Sequence, residues 1–234
     1  MTWDPFGTIG TTLWIGGAQW AGKSTIARIL ARRHGVTAYH YDYHDARGHY
    51  DRLIARHVRR GEAWKEPDPE SMWVRHSPEE MAHEVLDGFS ERFEWTLDDL
   101  RGLVSGRPVV AEGWGLRPEL VAPLLDSPDR MLVMVPTEEF RAYQLATLPR
   151  AQALSAPLSD PERGQRNRIA RDRIIAEDAV GSARRLGIRV LEVDGSHDAE
   201  EIATAVAHHF AAYLPTDPCA AAAAPSTADA RGSV

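Results

Sequence analysis

The chain has 234 residues, 43% hydrophobic and 26% charged, enough for one generous domain, and its balance excludes collagen-like, coiled-coil and wholly disordered classes. The net charge of −7 argues against a general nucleic-acid or anionic-membrane surface, and no apolar run approaches the roughly 20 residues that a membrane span needs. The start, MTWDPFG, lacks a signal-peptide pattern, and the single cysteine, Cys219, allows no disulfide, so a cytoplasmic setting is expected. Of the 27 basic residues only Lys23 and Lys65 are lysine, which makes a lysine in a special position informative.

Residues 1–10 read as a polar lead-in, and residues 11–15 as a buried strand ending at Gly16-Gly17. A helix is predicted over 24–33 with Gly35 as its stop, then a strand over 36–41 and a helix over 45–60. Pro67 and Pro69 break the next stretch. Ser77-Pro78-Glu79-Glu80 is a capping box opening a long helix to about residue 104, with Met81, Val85, Phe89 and Phe93 on one face. Strands are predicted over 107–111, 131–135 and 188–193, with helices over 118–125, 137–148, 166–186 and 198–213. Residues 149–165 read as a mobile loop and 215–234 as a disordered tail. Alternating strands and helices predict an α/β fold: a five-stranded parallel sheet with helices on both faces.

The first strand runs into Gly17-Ala18-Gln19-Trp20-Ala21-Gly22-Lys23-Ser24, which is G-x-x-x-x-G-K-S, and a helix follows at once. Glycines at these places let the backbone wrap so that successive N–H groups point at a phosphate, aided by the positive end of the helix. Lys23 would reach the β- and γ-phosphates, and the Ser24 hydroxyl would ligate Mg²⁺. Residues 17–25, with Thr25 as the last, are therefore the expected phosphate-binding stretch.

In size and order the chain resembles the small P-loop kinases: nucleoside monophosphate kinases, shikimate and gluconate kinases, and chloramphenicol phosphotransferase. The resemblance covers about residues 11–214. It implies a P-loop NTPase fold, an acceptor-binding helical insertion at about 42–105, an arginine-bearing lid at about 149–168, and ATP with Mg²⁺ as cofactors. Asp42, just past the second strand, stands where hydroxyl-phosphorylating members hold an aspartate that binds the acceptor and takes its proton. Glu112, in Ala111-Glu112-Gly113-Trp114-Gly115-Leu116-Arg117, resembles the D-G-F-P-R segment, with glutamate for aspartate and the arginine one place late. It could hold water on Mg²⁺ or bind the acceptor, with Arg117 alongside. Arg166-Asn167-Arg168-Ile169 resembles the lid exit of adenylate kinase, so Arg166 and Arg168 are the expected phosphate clamps, the alternative being a solvated helix face.

The Asp194-Gly195-Ser196 turn either passes near adenine, as the resemblance implies, or is a plain turn with Ser196 or Asp198 as a cap. Tyr41, His44, Tyr39, Tyr43, His49, Tyr50, Trp64, Trp73 and Trp95 crowd the insertion and its entry strand, which suits a ring-bearing acceptor, with Tyr41 and His44 beside Asp42. Asp42 favours a hydroxyl acceptor; Arg117 with Arg52 or Arg75 favours a phosphate. The preferred reading is a kinase transferring phosphate to a hydroxyl of a small molecule, with a nucleotide kinase or a regulatory ATPase as alternatives. Neither a nucleic acid nor a membrane is expected as partner, and the oligomeric state is left open.

Overall fold

The structure, a computed structural model, describes residues 3–104, 106–148, 151 and 155–215. Most of the expected tail and part of the expected lid, residues 149, 150 and 152–154, lie outside the described residues. The five strands are β1 (Leu13–Gly17), β2 (Thr37–His40), β3 (Val109–Glu112), β4 (Met131–Pro136) and β5 (Arg189–Val193). They pair in parallel in the order β2-β3-β1-β4-β5. The three central strands are buried along their whole length, which is why they read as unbroken apolar runs.

Nine α-helices are described: α1 (Thr8–Thr11), α2 (Lys23–His34), α3 (Tyr41–His44), α4 (Tyr50–Arg59), α5 (Pro78–Gly102), α6 (Pro118–Val121), α7 (Glu138–Thr147), α8 (Pro161–Arg185) and α9 (Ala199–His209). Strand alternation sorts the core into two layers. Trp14, Val109, Ala111 and Val133 face one side, with Phe89, Phe93, Leu97 and Leu100 of α5 and Ile175 and Ala179 of α8. Leu13, Ile15, Val110, Leu132 and Met134 face the other, with Ile26 and Leu30 of α2 and Ile202 and Val206 of α9.

Most expected elements are present within a few residues, and the differences have local causes. The capping box at Ser77 is built in both directions, Glu80 N donating to Ser77 Oγ at 3.2 Å and Ser77 N to Glu80 Oε2 at 2.8 Å. Helix α8 starts at Pro161, five residues before the expected 166, because Asp160 caps it by accepting from Arg163 N at 2.9 Å. The lead-in contains α1, and the single helix expected over 45–60 is wound as a π-turn over Asp45–His49 before α4. A second π-turn covers Ser71–Arg75. The first of these turns carries His49 to the interior.

Asp99 of α5 explains that inward turn. Its Oδ2 accepts from Tyr39 Oη at 3.0 Å and lies 3.0 Å from His49 Nε2 and 3.3 Å from His44 Nδ1. Its Oδ1 accepts from Arg52 Nη2 at 2.6 Å. One carboxylate thus ties β2, α3, the π-turn and α4 to α5. Burial raises its pKa, but the hydrogen bonds from His49, Arg52 and Tyr39 outweigh it and hold the group at about 2, below its ordinary 3.8. A depressed carboxylate stabilises the fold above its ordinary pKa and loses that contribution as pH falls through the folded value. We therefore expect Asp99→Asn to cost about 2 kcal/mol at pH 7. Urea denaturation at stepped pH should show the gap to the wild type narrowing between about pH 4 and pH 2; a gap independent of pH would contradict this account.

Candidate active site

The turn after β1 has the conformation that an amide-lined anion cradle needs. Gly17 leaves the sheet at φ +110°, and a Cβ there would collide with the Met134 backbone. Ala18 N then donates to Met134 O at 2.9 Å, tying the loop to β4. Trp20, at φ +69°, is the one non-glycine residue with left-handed backbone among the described residues, a strained state of the kind that concentrates at functional sites. Lys23 is 5% exposed, and its Nζ donates to Ala18 O at 2.6 Å. The charge is thus held inside the loop, and Ser24 stands exposed at the mouth.

This loop forms one wall of a cleft of about 490 Å³. Asp42 enters it from the end of β2, Gln144 from α7, and Arg168, Arg171 and Asp172 from α8, with Arg28 beside the loop. The Asp42 carboxylate is open to the cleft but enclosed by protein elsewhere, and its Oδ1 accepts from Trp114 N at 3.1 Å. That enclosure pushes its pKa above the ordinary 3.8; nearby Lys23 pulls it down and Glu112 pushes it up. Gly113, at φ +155°, lets the chain pass so close that a Cβ would lie 2.9 Å from Asp42 Oδ1.

Glu112 ends β3 beside Asp42 and is 1% exposed. Its Oε1 lies 2.7 Å from His40 Nδ1, and its Oε2 is buried without a partner. That hydrogen bond is the main cause of a raised His40 pKa.

Two arginines of α8 close the cleft. Arg168 Nη2 donates to Ala151 O at 2.6 Å and to Gln165 Oε1 at 3.0 Å, its Cζ lies 5.9 Å from the Trp20 ring, and burial lowers its pKa. Arg171 donates from Nε and Nη2 to Asp172 Oδ1 at 2.9 and 2.6 Å. Its Cζ lies 4.9 Å from the centre of the Trp73 ring and 5.5 Å from that of Trp114.

Several expected site residues stand elsewhere. Tyr41 is wholly buried against Gly113 and Gly115, with its hydroxyl 3.4 Å from Asp45, so it packs the core. His44 stacks on Tyr39 at 4.3 Å beside Asp99. Arg166 is exposed and pairs with Glu162 at 3.6 Å, the solvated-face alternative. Arg117 is 1% exposed and pins the β3–α6 loop to α8: Nε donates to Glu119 at 3.2 Å, Nη1 to Ile175 O at 3.1 Å, and Nη2 to Asp178. In the Asp194–Ser196 turn, Ser196 N and Oγ donate to Asp194 Oδ1 at 2.9 and 2.6 Å, and Asp198 caps α9. Arg28, Gln144, His40, Arg171 and Asp172 were not among the expected site residues. For the last two a signal existed: Arg168, Arg171, Asp172 and Ile175 share one helical face.

The five parallel strands in the order β2-β3-β1-β4-β5, with the glycine-rich loop directly after β1, form an α/β sheet with helices on both faces. No family model matches the chain, and no curated protein matches it in sequence. Among solved structures it is similar to shikimate kinase from Acinetobacter baumannii in complex with shikimate, at 14% identity over 88% of this chain and 96% of that one, with a TM-score of 0.47. It is also similar to shikimate kinase from Aquifex aeolicus, at 16% identity over 86% and 96%, TM-score 0.35. A gluconokinase from Sinorhizobium meliloti shows 13% identity over 88% and 94%, TM-score 0.41. No helix among the described residues is long and apolar enough to cross a membrane.

Arg117 as a pin has a measurable consequence. Arg117→Ala should lower stability by about 2–4 kcal/mol, since three charge-assisted or buried hydrogen bonds go at once. Arg117→Lys should recover little of it, because a point charge cannot reach three directions. Thermal unfolding reads both, and a lysine variant as stable as the wild type would refute the pin.

Proposed function

We propose that the chain is a small-molecule kinase that moves the γ-phosphoryl group of ATP to a hydroxyl of an uncharged, ring-bearing acceptor. One observation carries the reading: the Asp42 carboxylate opens into the same cleft as Lys23 and Ser24. The loop amides and Lys23 suit the β- and γ-phosphates, with Lys23 giving up its Ala18 carbonyl for them. Arg168 closes the cleft from the other side, where it can offset charge on the transferring group.

The oxygen donors suit a hard divalent cation: the Ser24 hydroxyl at the mouth of the loop and the buried, unpaired Oε2 of Glu112. Mg²⁺ bound with the nucleotide would neutralise phosphate charge during transfer. In the transfer, the acceptor oxygen bonds to the γ-phosphorus, the bond to the β–γ bridging oxygen breaks, and ADP leaves. Asp42 holds the acceptor hydroxyl in line and takes its proton. A hydroxyl is favoured over a phosphate because the arginines available for a phosphate are engaged. Arg117 is a buried pin, Arg52 serves Asp99, Arg75 lies 3.8 Å from Asp68, and Arg171 is neutralised by Asp172. Trp73 and Trp114 beside Arg171 suit a flat apolar face.

The overall test is transfer of label from γ-labelled ATP to a pool of hydroxyl-bearing metabolites. Acceptor-dependent labelling is expected, whereas ATP hydrolysis indifferent to every acceptor would point to a regulatory ATPase. Lys23→Ala should lower turnover about 10²–10³-fold or more. Lys23→Arg should do nearly as badly, because the loop encloses a compact ammonium and leaves no space for a planar fork. Near-native activity of the arginine variant would sink the phosphate role of this loop.

Asp42→Asn keeps the shape and removes the charge, so ATP affinity should hold while transfer falls by roughly 10²–10⁴-fold. Since the base works deprotonated, wild-type transfer should rise with pH through the raised Asp42 value, and the asparagine variant should lack that limb. Equal loss of ATP binding and transfer would assign Asp42 to the metal or the fold.

A further inference from the structure

His40 and Glu112 are partners in the parallel register of β2 and β3, each the last residue of its strand. Neighbouring strands thus deliver an imidazole and a carboxylate side by side at the edge of the sheet where the cleft opens. The contact is short, 2.7 Å from Nδ1 to Oε1. It uses one carboxylate oxygen and leaves the other, Oε2, buried and without a partner. A buried carboxylate oxygen held without a donor is unfavourable unless something outside the chain supplies one. Asp42 stands two residues beyond His40, and it feels the Glu112 charge. The pair therefore belongs electrostatically to the cleft.

We propose that His40 is a positioning residue: by holding Glu112 through Oε1, it fixes the rotamer that keeps Oε2 available to a water on the nucleotide-bound divalent cation. This rests on the MgATP reading above. Partners behind a ligand of this kind orient it, and their loss typically weakens metal affinity about 10–100-fold. A purely structural pair, in which His40 only lets Glu112 be buried, would change stability and leave the metal dependence of nucleotide binding alone.

The experiment is calorimetric titration of the full chain with ADP, in EDTA and at graded Mg²⁺, for the wild type and three variants. In His40→Ala, metal-free affinity should stay within about twofold of the wild type, while the Mg²⁺ needed for half the affinity gain rises at least about tenfold. His40→Asn carries its Nδ2 donor on Cγ, as histidine carries Nδ1, and should recover most of the loss. His40→Gln places the donor one bond further out and should fall with alanine; it replaces that variant should alanine fail to fold. Wild-type Mg²⁺ dependence in the alanine or glutamine variant would overturn the proposal, as would loss of metal-free affinity in step. A wild-type chain that takes up no nucleotide would overturn the kinase reading itself, so the two failures are distinguishable.

Discussion

Parallel pairing is the constraint on which this molecule depends. Because β1, β2 and β3 run in one direction and lie side by side, their last residues arrive at one edge of the sheet. Gly17 ends β1, His40 ends β2 and Glu112 ends β3, and the cleft described above is lined in part by the residues directly after them. The next strand, β4, holds the loop through Met134 O, so the cradle is tied to the sheet on the β4 side of β1. Where β1 parts its neighbours, the chain turns one way to β2 and β3 and the other way to β4 and β5. The crevice opens at that parting.

The opposite wall belongs to α8, and it is held by the insertion between β2 and β3. Asn167 Nδ2 donates to Trp73 O at 3.1 Å, and Glu70 accepts from Ser159 N and Oγ at 2.6 and 2.7 Å. These contacts seat the second π-turn against the start of α8, and so seat Trp73 against Arg171. This wall of the cleft is therefore braced by a segment far from it in sequence, and each fixes the other.

That division governs what was legible in the sequence. The strands, the capped helix α5 and the phosphate loop are local patterns, and period and spacing were enough to find them. The places of Asp42 and Glu112 at strand ends were legible for the same reason. The packing of Arg117 and Tyr41 was not legible because their partners, Asp178, Ile175 O and the Gly113–Gly115 turn, lie across the fold. The Asp99 hub joins residues 39, 44, 49 and 52 to 99, and no local period announces it. Arg166 and Arg171 differ only in the face of α8 that each occupies, and choosing between them required knowing that Arg168 points inward.

Charge placement within the cleft gives the acceptor reading its physical sense. Lys23 and Arg28 stand on the loop side without a carboxylate partner among the described residues, their hydrogen bonds going to Ala18 O and Ser24 O. On the acceptor side the guanidinium of Arg171 is matched by Asp172, and Asp42 adds a negative charge. The unmatched cations of the loop side thus face a pair and a carboxylate on the other side of the cleft. An acceptor bearing its own anion would approach the Asp42 and Asp172 carboxylates, and the buried Arg171–Asp172 pair does not open cheaply to meet it. A neutral hydroxyl pays no such penalty, and a carboxylate held at raised pKa is well matched to orient it and accept its proton. On the proposed reading, the same placement of charge would favour a triphosphate at the loop and a neutral acceptor beside Asp42.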